Sequence, residues 1–176
     1  MLALRVGETE LVYTTDIPAD ESPTGFSMPG EVLWWREFQP GAFDATIYAD
    51  AIREGWMDPP DGFQPPPADT VCWRYQFFID AVDAFYQQGS ADNPVVYWLD
   101  VKALPLSGDQ AIFGWKTSQF HWNDDAVWAR GFEPWPGPWN ELIYPPGHQL
   151  GGLGRRRGAD VGNEIGDGKI GFMADR

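Results

Sequence analysis

Alternation of apolar and polar side chains, repeated in short runs, dominates this chain. Residues 71–79 (Val-Cys-Trp-Arg-Tyr-Gln-Phe-Phe-Ile) show it best, with Val71, Trp73, Tyr75 and Phe77 on one side and Cys72, Arg74, Gln76 and Phe78 on the other. A period of two belongs to the β-strand, whose successive side chains point to opposite faces. Residues 9–15 (Thr-Glu-Leu-Val-Tyr-Thr-Thr) are β-branched and aromatic and predict another strand, broken by the Asp16-Ile17-Pro18 run. Residues 31–38 place Val32, Trp34 and Phe38 on one face, interrupted at Arg36, with Trp35 on the other. Residues 43–48 predict a short strand, and residues 49–56 favour no single element. Residues 95–101 (Val-Val-Tyr-Trp-Leu-Asp-Val) suit a buried strand, and residues 109–115 and 126–128 predict two more.

Glycine and proline punctuate these runs. Pro29-Gly30, Pro40-Gly41 and Ser107-Gly108 predict turns, and the prolines crowded between Asp58 and Pro67 predict an exposed loop, since proline lacks an amide donor. Residues 80–88 carry apolar positions at helical spacing before Gly89 and predict one or two helical turns. Short strands with little helix indicate an all-β fold, an antiparallel β-sandwich of jelly-roll or immunoglobulin-like type with long Pro/Gly loops, over residues 1–150. From Gly151 the pattern stops. Eight glycines and the Arg155-Arg156-Arg157 triplet predict a Gly/Arg-rich flexible tail over residues 151–176.

Composition narrows the function. At 176 residues the chain suits one domain, and 43% hydrophobic residues with ten tryptophans exclude the disordered class despite a formal charge of −14. That charge repels phosphate backbones, so nucleic acid and anionic membrane are not expected partners. Cys72 is the sole cysteine, which excludes an intrachain disulfide and a thiolate metal cluster. No apolar run is long enough for a membrane helix, and Met1-Leu2-Ala3-Leu4-Arg5 does not make a signal peptide. Membrane insertion is not expected.

Candidate chemistry gathers in residues 114–128, where Trp115, His121, Trp122, Asn123, Asp124, Asp125 and Trp128 lie close together. Aromatic faces offer sugars flat apolar platforms, so Trp122, Trp135 and Trp139 are the candidates for carbohydrate binding, with Trp73, Trp98, Trp115 and Trp128 assigned to packing. Asn123, Asp124 and Asp125 supply oxygen ligands of the kind calcium takes, against the plainer role of capping their own turn. Asp124 and Glu141 are a conceivable carboxylate pair for glycoside hydrolysis, the remotest reading. His121 and His148 form no zinc motif, and no nucleophile elbow or phosphate-binding loop is present. No catalytic residue is therefore assigned.

Several segments act in combination: Asp16-Ile17-Pro18-Ala19, Ser27-Met28-Pro29-Gly30-Glu31, Phe78-Ile79-Asp80, Tyr97-Trp98-Leu99-Asp100-Val101, Gly114-Trp115-Lys116-Thr117, Trp122-Asn123-Asp124-Asp125-Ala126-Val127 and Tyr144-Pro145-Pro146-Gly147. In this order they resemble a domain of unknown function found in exported proteins of planctomycetes and related environmental bacteria. The resemblance covers about residues 11–150 and implies an extracellular or cell-surface β-sandwich with no assigned activity, whose partners would be a polysaccharide or another surface protein. Such domains usually start with a further strand region and end in an apolar strand. Against that pattern this chain looks truncated or shifted in frame at both ends.

Overall fold

The computed structural model describes residues 6–58, 62–105, 126–129 and 139–143. Every regular element among them is a strand: β1 (Val6–Ile17), β2 (Met28–Phe38), β3 (Phe43–Asp58), β4 (Gly62–Phe77), β5 (Tyr97–Pro105), β6 (Val127–Trp128) and β7 (Asn140–Glu141). They form a three-stranded sheet in the order β2-β1-β5 and two pairs, β3-β4 and β6-β7. The all-β antiparallel class follows from the alternation, as expected. By contacts the chain divides into two compact units, residues 1–44 with 76–114 and 172–176, and residues 45–75 with 115–171.

In the first unit β1 is the central strand, antiparallel to both neighbours. Thr9, Leu11 and Tyr13 share one face with Trp34, Arg36 and Phe38 of β2 and Leu99, Val101 and Ala103 of β5, as the register Leu11↔Arg36 and Leu11↔Val101 requires. The opposite face carries Glu10, Val12 and Thr14. Val12 is 1% exposed and Thr14 0%, so β1 is closed on both faces. On the first face Phe38 packs against Phe77, ring centroids 4.8 Å apart, and Phe77 meets Phe43 at 5.2 Å. Arg36, the polar residue interrupting the apolar face of β2, lies over the Phe38 ring at 5.6 Å.

Three expectations are corrected. Pro29-Gly30 does not turn the chain but lies inside β2, opposite β1: Pro29 pairs with Asp16, and a side chain on Gly30 would come within 2.5 Å of Thr15 Oγ1. That hydroxyl is fixed, because it accepts the Glu31 amide at 2.8 Å. Glycine there serves close strand approach beside a register shift in β1, rather than a turn. Residues 80–88 hold no helix. One turn closes from the Asp83 amide to the Asp80 carbonyl at 2.9 Å, and the chain then runs irregularly because Phe85 is drawn onto Tyr13. The proline-rich run is not simply a loop either, since Pro65, Pro66 and Pro67 lie within β4, where residues 64–68 are all exposed.

The second unit contains most of the long β3-β4 ribbon. Residues 49–56, undecided from sequence, are strand. Within β3, Ala51 adopts a positive φ of 56° and its amide is taken by Asp50 Oδ1 at 2.7 Å. The Phe63 ring of β4 occupies the place where a Gly55 side chain would stand, so the aromatic face substitutes for a missing Cβ. Tyr75 is buried, and Cys72 is half-buried. Separately, Val127 and Trp128 pair with Glu141 and Asn140, extended by a bond from the Leu142 amide to the Ala126 carbonyl at 2.9 Å. The predicted strand over residues 109–115 and the predicted tail lie outside the described residues.

Candidate functional site: an aromatic groove at the margin of a strand

Among the described residues β2 ends the three-stranded sheet on one side. Its alternation sorts side chains sharply: Trp34 and Arg36 turn inward and are partly covered, whereas Glu31, Leu33, Trp35 and Glu37 are exposed. Trp35 is 57% exposed. The segment following β4 packs over the inward face. Phe85 stacks on Tyr13 at 4.7 Å and meets Tyr97 edge-on at 5.4 Å, while Tyr13 meets Trp34 at 6.0 Å. Burial raises the Tyr13 phenol pKa above its ordinary value, in keeping with this packing.

Two polar contacts hold the 81–84 turn against β2. Trp34 Nε1 donates to the Asp83 carbonyl at 2.8 Å, and Arg36 Nη1 donates to Asp83 Oδ2 at 3.2 Å. The turn is braced by Tyr86, whose hydroxyl donates to the Ala81 carbonyl at 2.8 Å. Between turn and strand lies a shallow groove of about 490 Å³, lined by Trp34, Trp35, Arg36, Val82, Asp83 and Ala84. Because Trp34 and Trp35 point to opposite faces, a groove touching both must cross the outer margin of β2. Val82, 91% exposed, forms its apolar lip.

On the opposite sheet face lies a cluster of charges. Lys102 Nζ is 3.3 Å from Glu10 Oε2, directly across the β1-β5 pair, and 3.5 Å from Asp100 Oδ2. Burial pushes the Asp100 carboxyl above its ordinary value of 3.8, outweighing the attraction of Lys102. Nearby, Trp98 Nε1 donates to Asp16 Oδ1 at 2.7 Å, joining β5 to the end of β1. Gln39 bridges a further acidic pair, donating to both Glu8 and Glu37. Among the described residues, no group of three or more His, Cys, Asp or Glu side chains is disposed to hold a metal ion.

Asp100 sets a direction for pH dependence. A carboxyl whose pKa is higher folded than unfolded binds more protons in the native state, so stability is lost as pH rises through the folded value. In Asp100→Asn that loss disappears. The melting temperature of the variant relative to wild type is expected to climb as pH rises from below 3.8 through the raised value, whatever the constant offset between them. Thermal melts across a pH series read this, and a difference independent of pH would refute it.

Of the sequence-derived site residues, Trp139 is half-buried immediately before β7, and Trp122, Trp135, Asn123, Asp124 and Asp125 lie outside the described residues. Trp73, Trp98 and Trp128, assigned to packing, are each half-buried. The groove at Trp35, Arg36 and Asp83 was missed as a site. Its sequence signal was the charged Arg36 on an otherwise apolar strand face, but its partner stands 47 positions away.

Fold and groove together define an antiparallel all-β domain with a shallow aromatic-edged surface site. Residues 5–152 match the family described as Domain of unknown function (DUF7901), and the chain belongs to that family. No curated protein and no solved structure matches it. No helix among the described residues is long and apolar enough to cross a membrane.

Proposed function

We propose that this domain is a non-catalytic recognition module of an exported or cell-surface protein, and that the groove across the β2 margin is its binding face. The observation that carries this reading is Trp35, an exposed indole beside a turn locked in place by Trp34 and Arg36. Large apolar side chains grouped at the surface mark interaction sites. Val82 lines the same groove, and Leu33, two positions before Trp35 on β2, is exposed with it. The groove's two ionisable groups, Arg36 and Asp83, are engaged with each other, which suits holding a ligand better than moving protons. Export is supported by the resemblance to domains of exported bacterial proteins.

The groove's chemistry also favours a second, more specific reading, a carbohydrate-binding module. Both readings require the domain to meet its ligand outside the cytoplasm. Fractionation of cells producing the full-length protein is expected to place it in the envelope or the medium. Recovery wholly in the cytoplasm would overturn the proposal.

A further inference from the structure

Resting on the recognition-module reading, we infer that the groove's ligand is an uncharged polysaccharide, one sugar ring lying against Trp35 while the Arg36–Asp83 pair hydrogen-bonds hydroxyls of the chain. Three features converge on this class. First, Trp35 presents an apolar plane, and the C–H face of a pyranose is matched to such a surface. Second, Arg36 and Asp83 neutralise each other at 3.2 Å yet keep side-chain exposures of 36% and 52%. A guanidinium has five N–H donors and a carboxylate about four acceptor positions, so one mutual contact leaves donors and acceptors side by side. Hydroxyl groups both donate and accept, and a locally neutral donor–acceptor pair complements them without demanding charge. Third, the chain carries a formal charge of −14, which disfavours polyuronates and sulfated glycans at every approach.

Shape agrees with a polymer rather than a small enclosed ligand. At about 490 Å³ the groove has the capacity of ordinary ligand sites, which hold roughly 300–1,000 Å³, but it is shallow and crosses a strand margin. An open groove of this kind suits a segment of a longer chain better than a small ligand that must be enclosed. The tie from Trp34 Nε1 to the Asp83 carbonyl fixes the groove before the ligand arrives, limiting the ordering cost of binding.

Affinity electrophoresis of the full chain through gels containing neutral polysaccharides (a mixed-linkage β-glucan, xyloglucan, galactomannan) or alginate is the test. Retardation is expected in at least one neutral gel and not in alginate. Trp35→Ala should weaken it at least tenfold, and Arg36→Gln should weaken it several-fold, with circular dichroism unchanged for both. Retardation by alginate alone, or by no neutral polymer, overturns the inference. Retardation that survives Trp35→Ala but fails in Trp122→Ala or Trp139→Ala overturns the groove as the site while leaving a recognition module in place. Envelope location of the full-length protein without any glycan retardation likewise separates the failure of this inference from that of the broader reading.

Discussion

Replacing Phe38 by alanine is expected to cost about 3–5 kcal/mol of folding stability, the range for emptying a buried aromatic site. Phe38 is 3% exposed and sits at the end of β2 where three components meet: the Phe77 ring, the Arg36 guanidinium and the buried Thr9 directly across the pair. Truncation removes the ring contact, strips Arg36 of its aromatic seat and opens a cavity that rigid strands cannot close. Urea titration followed by tryptophan fluorescence measures the loss. A loss under about 1 kcal/mol would mean that the first unit does not depend on this aromatic seam.

Lys102→Met should be comparably damaging, through charge rather than volume. Lys102, Glu10 and Asp100 are 11%, 18% and 15% exposed at the side chain, so their ion pairs are largely withdrawn from water. Methionine keeps the length of the chain but leaves two carboxylates without a counter-charge, and breaking such a buried pair from one side costs about 3–5 kcal/mol. The loss is expected at neutral pH and should shrink on acidification as Asp100, whose pKa burial already raises, takes up a proton. The triple variant Glu10→Gln, Asp100→Asn, Lys102→Met should recover most of it, because neither of these two carboxylates is then left charged beside an apolar side chain. If the triple variant is no more stable than the single one, the charges are not the cause.

These effects show how far the sequence carried. Strand positions were legible wherever one face is buried, because burial imposes the period of two: Val71, Trp73, Tyr75 and Phe77 are the covered side of β4, and Trp34 and Phe38 that of β2. Where neither face is strongly buried the period fades, which is why residues 49–56 of β3 gave no signal: none of them is fully buried, and the half-buried ones follow no steady alternation. Local rules failed at Gly30 and at residues 80–88 for a shared reason. In each, a contact distant in sequence overrides the dipeptide or periodic preference: Thr15 across the sheet in one case, Tyr13 and Trp34 beneath the turn in the other. The groove was illegible for the same cause. Arg36 looked like a defect in an apolar face until Asp83 was brought to it by the fold.

The seating of Phe63 over Gly55 has a consequence for how β3 and β4 find each other. Stretches of a long ribbon with exposed sides, as at residues 44–48 and 64–68, leave many nearly equivalent alignments, and a slide by one residue exchanges the two faces. Here a slide would drive the ring onto Glu54 or Trp56, both of which carry the Cβ that Gly55 lacks. A single achiral residue thus acts as a keyway, admitting one alignment of the two strands and rejecting its neighbours by steric exclusion.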